Sequence, residues 1–131
     1  MAERSRDWMD QARRDLESAR WQAQGGYYEW ACFVAQQAAE KAIKAVYQRR
    51  GGDAWGHALA DLLSGLAERV AVPAEIVECA RLLDRFYIPT RYPNAWVQGA
   101  PGRYYTEEDA RRAIGCGEAI LRFCQGLLAE P

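Results

Sequence analysis

Between Tyr27 and Arg50, Ala31, Val34, Ala35, Ala38, Ala39, Ala42, Ile43, Ala45 and Val46 recur at helical steps. At about 100° per residue they cover half the circumference of a helix. A helix resting on the edge of a core needs only a stripe. This one must be touched from several sides, so the chain has to wrap other helices around it, and its alanines let those neighbours come close. Gln36, Gln37, Glu40, Lys41, Lys44 and Gln48 fill the opposite face, with Phe33 and Tyr47 among them. Two rings on a polar face predict either side chains lying along the surface or a contact between subunits.

Four further segments supply the neighbours. Ser5 to Gln24 carries Trp8, Ala12, Leu16, Ala19 and Ala23 as one stripe and stops at Gly25-Gly26. Beyond Gly51-Gly52-Asp53, a short helix is predicted from Ala58 to Glu68 on Leu59, Leu62, Leu63 and Leu66. Val72-Pro73 opens a fourth that runs to about Tyr87, since proline suits a first helical turn. Its inward residues are Ile76, Cys79, Ala80, Leu82, Leu83 and Phe86, with Glu78, Arg81 and Arg85 outward, and Pro89 stops it. The last begins at Thr106-Glu-Glu-Asp109, close to a capping box, and its apolar face from Ala110 to Leu127 carries it to about Leu128. No stretch alternates as a strand does. The expected fold is all-α, an antiparallel bundle of four main helices plus one short helix, with a long loop before the last. A single domain is expected over residues 1–131.

A net charge of −1 gives no global attraction for nucleic acid or an anionic membrane, so any such function must rest on a local patch. No apolar run approaches the roughly 20 residues that span a bilayer, so no membrane is expected as partner. The charged start, Met1-Ala-Glu-Arg, leads into an amphipathic segment and not a signal-peptide core, which makes the cytoplasm the expected location. Cys32, Cys79, Cys116 and Cys124 are widely spaced among apolar helical positions, with no Cys-x-x-Cys pair. The expectation is four buried free thiols. With one histidine in the chain, no metal site is expected, and no cofactor is implied.

One segment breaks the helical pattern. The 22 residues from Arg85 to Thr106 contain no acid. They contain Arg85, Arg91 and Arg103 together with Phe86, Tyr87, Tyr92, Trp96, Tyr104 and Tyr105. The part predicted to lack regular structure, Ile88 to Arg103, is long for a connection in a compact domain, and Pro89, Pro93 and Pro101 pin it. Guanidinium groups pair with phosphate oxygens and exposed rings stack on bases, which suits a nucleotide or single-stranded nucleic acid. The competing reading is a loop folded back over the bundle, with Tyr87, Tyr92 and Trp96 as plugs. Composition leaves both open.

Four strings occur in order: Tyr28-Glu-Trp-Ala-Cys-Phe-Val-Ala-Gln-Gln-Ala-Ala-Glu-Lys-Ala-Ile-Lys44, Gly56-His-Ala-Leu59, Leu83-Asp-Arg-Phe-Tyr-Ile-Pro-Thr-Arg-Tyr-Pro93 and Tyr105-Thr-Glu-Glu-Asp-Ala110. Together they resemble the HEPN domain family ("higher eukaryotes and prokaryotes nucleotide-binding") of the stand-alone prokaryotic type, over nearly the whole chain. The resemblance implies four main helices plus a short one, commonly paired as a homodimer. It also implies one of two kinds of work. Many HEPN domains are metal-independent ribonucleases, toxins among them. Others partner a small nucleotidyltransferase and are thought to bind nucleotides.

In the ribonuclease group an arginine is followed, after four to six residues, by a histidine. The arginine stabilises charge on the phosphate, and the histidine moves a proton at the ribose hydroxyl or leaving oxygen. Arg91 stands in the arginine's place, but Trp96 stands where the histidine would, with Asn94 and Gln98 near it in sequence. None of the three is a base near neutral pH. His57, the one histidine, follows Arg50 at a formally suitable spacing but between two helices, away from the motif. It reads either as a helix-start residue whose ring bonds a neighbour or as a second wall of the cleft that holds Arg91.

The functional expectation is therefore a non-catalytic, HEPN-like module. It binds a nucleotide or RNA through Arg85, Arg91, Tyr92, Asn94, Trp96 and His57. It pairs as a homodimer and acts with a nucleotidyltransferase, in the manner of toxin–antitoxin pairs. One alternative is a metal-independent ribonuclease with Arg91 and a displaced His57 as its catalytic candidates. Another is a purely structural, dimeric scaffold subunit.

Overall fold

The computed structural model describes residues 3–130, so residues 1, 2 and 131 of the expected domain lie outside the described residues. The chain forms α1 (Ser5–Gln24), α2 (Tyr28–Arg50), α3 (Leu59–Leu66), α4 (Ala74–Asp84) and α5 (Glu107–Ala129), with short 3-10 turns at Pro93–Ala95 and Pro101–Arg103. No strand occurs among the described residues. Among the described residues no helix is long and apolar enough to cross a membrane.

The wide apolar band of α2 does what its sequence demands. α2 packs against α1, α3, α4, α5 and the turn at Pro101–Arg103. Ala31, Cys32, Ala35, Ala38, Ala39, Ala42, Ile43 and Ala45 lose all solvent exposure there. Gly117 marks how near the helices come. A Cβ on it would meet a methyl of Leu16 at 3.1 Å and the carbonyl of Ala35 at 3.5 Å, so α5 lies against α1 and α2 with little room for a side chain there. Burying Ile43, Leu59, Leu63, Leu83 and Ile120 stabilises the bundle by about 1.5–3 kcal/mol each. α5 starts on a complete capping box. The Asp109 N–H donates to the Thr106 hydroxyl (3.1 Å), and the Thr106 N–H donates to the Asp109 carboxylate (2.9 Å).

Several expectations need correcting. On α1, Met9 joins Ala12, Leu16 and Ala19 in the core, while Trp8 and Ala23 are half-buried at its edge. α4 ends at Asp84, short of Tyr87, and that carboxylate is committed elsewhere: it accepts from the N–H groups of Leu59 (2.6 Å) and Ala60 (3.1 Å). These are donors that the first turn of α3 would otherwise leave unpaired. The polar face of α2 is not all solvated, for Gln36 and Glu40 are buried. Tyr47 is no surface ring. Its hydroxyl donates to the Leu62 carbonyl at 2.6 Å and ties α2 to α3.

The cysteines divide into two pairs. Cys32 and Cys124 are free and buried, but Cys79 and Cys116 form a disulfide between α4 and α5, with Cα atoms 5.0 Å apart. Both lie on the seam where α4 and α5 pack, 37 residues apart in sequence. The spacing along the chain carries no trace of that meeting, which is why sequence alone points to four free thiols.

Candidate functional site

The arginine loop leaves α4 through a tight turn. The Thr90 hydroxyl, fully buried, donates to the Phe86 carbonyl at 2.7 Å, and the Arg91 N–H reaches the Ile88 carbonyl at 3.1 Å. That turn brings Arg91 back toward α2. Its Nε donates to the Tyr87 carbonyl at 2.8 Å. Its guanidinium carbon lies 4.2 Å from the ring centre of Phe33, 4.7 Å from that of Tyr87 and 5.0 Å from that of Tyr92. One carbonyl and three ring contacts hold the group, while its Nη atoms have no hydrogen-bond partner among the described residues. Phe33, the second ring on the polar face of α2, therefore lies beneath Arg91.

The far half of the loop is locked on itself. The Trp96 indole N–H donates to the Pro89 carbonyl at 2.8 Å. Its ring stacks on Tyr104 at 4.0 Å, with planes 8° apart, and meets Tyr105 edge-on at 5.8 Å. The Tyr104 hydroxyl donates to the Gln98 carbonyl. Pro101 is buried, and the residues that seal the core are Phe86, Thr90 and Pro101. Tyr92 does not plug it, being 46% exposed. The loop is thus a cap along one side and an open surface along the Arg91 side.

His57 reaches that surface from the segment between α2 and α3. Its ring stacks on Tyr87, with centres 4.5 Å apart and planes 19° from parallel. Its Nδ1 lies 3.0 Å from each oxygen of the Glu40 carboxylate. Glu40 also accepts from Lys44 Nζ (3.1 Å) and Gln36 Nε2 (3.3 Å). Gln36 Nε2 in turn reaches the His57 carbonyl at 3.1 Å. Asp84, by holding the first turn of α3, fixes the backbone just beyond His57. A hollow of about 290 Å³ opens here, lined by His57, Asp84, Arg85, Tyr87, Ile88 and Pro89.

Of the residues expected at a site, His57 and Arg91 share the ring of Tyr87, Arg85 stands exposed at the same hollow, and Tyr92 lies beside the Arg91 guanidinium. Asn94 is exposed on the turn Pro93–Ala95 and makes no side-chain hydrogen bond among the described residues. Trp96 has its N–H and one ring face occupied by the loop itself. Phe33, Gln36 and Glu40 complete the arrangement, and none of them is among the site residues expected from sequence. Their signal was available, since they recur at steps of three and four on the α2 face that also carries Lys44. The surface offers guanidinium donors, which pair with oxyanions, together with an imidazole and exposed aromatic edges.

Comparison with known proteins gives a consistent picture. The model of the HEPN domain matches residues 5–127. A crystal structure of a protein from Thermus thermophilus is 47% identical, with a TM-score of 0.93 over 96% of this chain and 99% of that one. An archaeal HEPN homologue is 46% identical, with a TM-score of 0.81 over 95% and 98% of the two chains. An HEPN domain protein from Thermotoga maritima is 41% identical, with a TM-score of 0.78 over 95% and 99%. Among curated proteins, none matches the chain at a significant level.

Proposed function

The chain belongs to the HEPN domain family, and from that premise we propose that it is a nucleotide- or RNA-binding module whose ligand phosphate rests against Arg85 and Arg91, with His57 beside them as a further ligand contact. The observation that carries this reading is the state of Arg91. Its guanidinium is anchored through Nε and three rings, with its outer donors left over. An arginine held in place before the ligand arrives loses little side-chain freedom on binding. Each charge-assisted bond to phosphate is worth about 1.5–3 kcal/mol. The exposed ring of Tyr92 then offers a face to a base. In this reading Trp96 and Tyr104 shape the loop and do not touch the ligand. Calorimetric titration with a mononucleotide and a short RNA tests it. Arg91→Ala is expected to weaken binding about tenfold or more. A folded chain that binds neither ligand would remove the proposal.

Within the same reading the module pairs as a homodimer and works beside a nucleotidyltransferase, as in toxin–antitoxin pairs. Light scattering with and without such a partner measures both, and a strict monomer would end the first.

A second reading is favoured by one specific contact. A histidine bonded to a buried carboxylate and sharing a ring with an arginine is an arrangement suited to metal-independent RNA cleavage. Cleavage that persists with EDTA and disappears in His57→Ala would establish it, whereas cleavage surviving in His57→Ala would exclude it.

A further inference from the structure

We infer that Glu40 is a positioning residue, whose buried carboxylate holds His57 as the Nδ1–H tautomer and leaves Nε2 as the nitrogen offered to the hollow beside Arg85. A carboxylate has only acceptors to offer, so an imidazole nitrogen 3.0 Å from both its oxygens must carry the proton. The neutral ring then has its lone pair on Nε2, which finds no hydrogen-bond partner among the described residues.

Three independent restraints keep the ring there. Glu40 anchors Nδ1, Tyr87 sets the ring plane by stacking, and Gln36 holds the His57 carbonyl. Glu40 cannot swing away freely. It is 6% exposed, and both of its oxygens are bound, one by Gln36 and the other by Lys44. Leaving such a group buried without its partners is costly. The half-exposed imidazole is therefore attached to a stiff internal support. The consequence is chemical. A neutral His57 can only accept a hydrogen bond at Nε2, so it takes a donor of the ligand, while Arg85 and Arg91 take its oxyanion. That division of labour rests on the binding reading above, but the tautomer itself does not.

The chain has a single histidine, so its side-chain nitrogen resonances are unambiguous. In ligand-free protein at about pH 9, where imidazole is ordinarily neutral, Nδ1 is expected at the pyrrole-like shift and Nε2 at the pyridine-like shift. Glu40→Leu, similar in size and unable to accept, is expected to move the ring to the Nε2–H form that free histidine prefers. An Nε2–H ring or an even mixture in the unsubstituted protein would overturn the inference. So would an Nδ1–H ring that persists in folded Glu40→Leu. Should that variant fail to fold, the unsubstituted protein alone decides. Because no ligand is present, a nucleotide that fails to bind leaves this result standing, and a wrong tautomer leaves binding at Arg91 untouched.

Discussion

The imidazole of His57 lies on the phenol ring of Tyr87, with centres 4.5 Å apart and planes 19° from parallel. The same ring also supports the guanidinium of Arg91 at 4.7 Å. Tyr87 is therefore the piece that joins two segments far apart in sequence into one surface. Tyr87→Ala removes the ring pairs with His57 and Phe33 and the cation–π contact with Arg91 together, and is expected to cost about 1–3 kcal/mol in urea unfolding. Tyr87→Phe keeps both rings and should stay within about 0.5 kcal/mol of the parent. Equal effects of the two substitutions would mean that the stack contributes nothing.

Asp84 is expected to matter for α3 more than for its own helix. Its carboxylate accepts from Leu59 and Ala60, and α3 has no side-chain cap of its own. Asp84→Ala should destabilise the chain by about 1–2 kcal/mol. It should also speed hydrogen exchange at the Leu59 and Ala60 amides ahead of the rest of the bundle. Unchanged exchange at those two amides would contradict the cap.

The Cys79–Cys116 disulfide encloses the whole arginine loop. Closing a loop of 37 residues stabilises the folded chain by about 3–4 kcal/mol, on the chain-entropy reckoning. Adding a reductant should lower Tm markedly, and Cys116→Ser should lower it similarly while abolishing the response to reductant. A Tm that ignores reductant in the parent chain would show that the bridge adds no stability.

Two buried thiols and one half-buried phenol make the fold sensitive to alkali. Burial pushes the thiols of Cys32 and Cys124 and the phenol of Tyr105 up to about 12. All three are neutral in the folded chain and ionise more easily when unfolded. The stability they support is intact below the unfolded values, about 8.5 for a thiol and 10 for a phenol. It is lost as pH rises from there through about 12. Thermal unfolding should shift to lower temperature between about pH 8 and pH 11. Substituting Cys32 and Cys124 by alanine should flatten that slope, and a Tm constant over the interval would refute the assignment.

Much of the fold was legible in the sequence because it depends on helical period and on caps. The half-circumference band of α2 required several neighbours, and the Thr106–Asp109 box marked the start of α5. What sequence could not show is what depends on contact across segments. The Cys79–Cys116 pairing, the Asp84 cap of α3 and the burial of Glu40 all arise where residues distant along the chain meet. The site divides along the same line. Arg91 was legible from its string and its aromatic neighbours. His57 was legible as a residue whose ring bonds a neighbour, but the neighbours were not, because they are Glu40 on one helix and Tyr87 after another. What sequence could not show of Trp96 is that its indole N–H is bonded to the Pro89 carbonyl within the loop itself.

Following the His57 imidazole resonances while a mononucleotide is added tests the binding surface most directly. The prediction is a saturable shift in the parent chain that is lost in Arg91→Ala and retained in Arg103→Ala, whose arginine lies on the far half of the loop beside Gly99 and Tyr104. Resonances that stay in place at high nucleotide, or a shift that survives in Arg91→Ala, would contradict it.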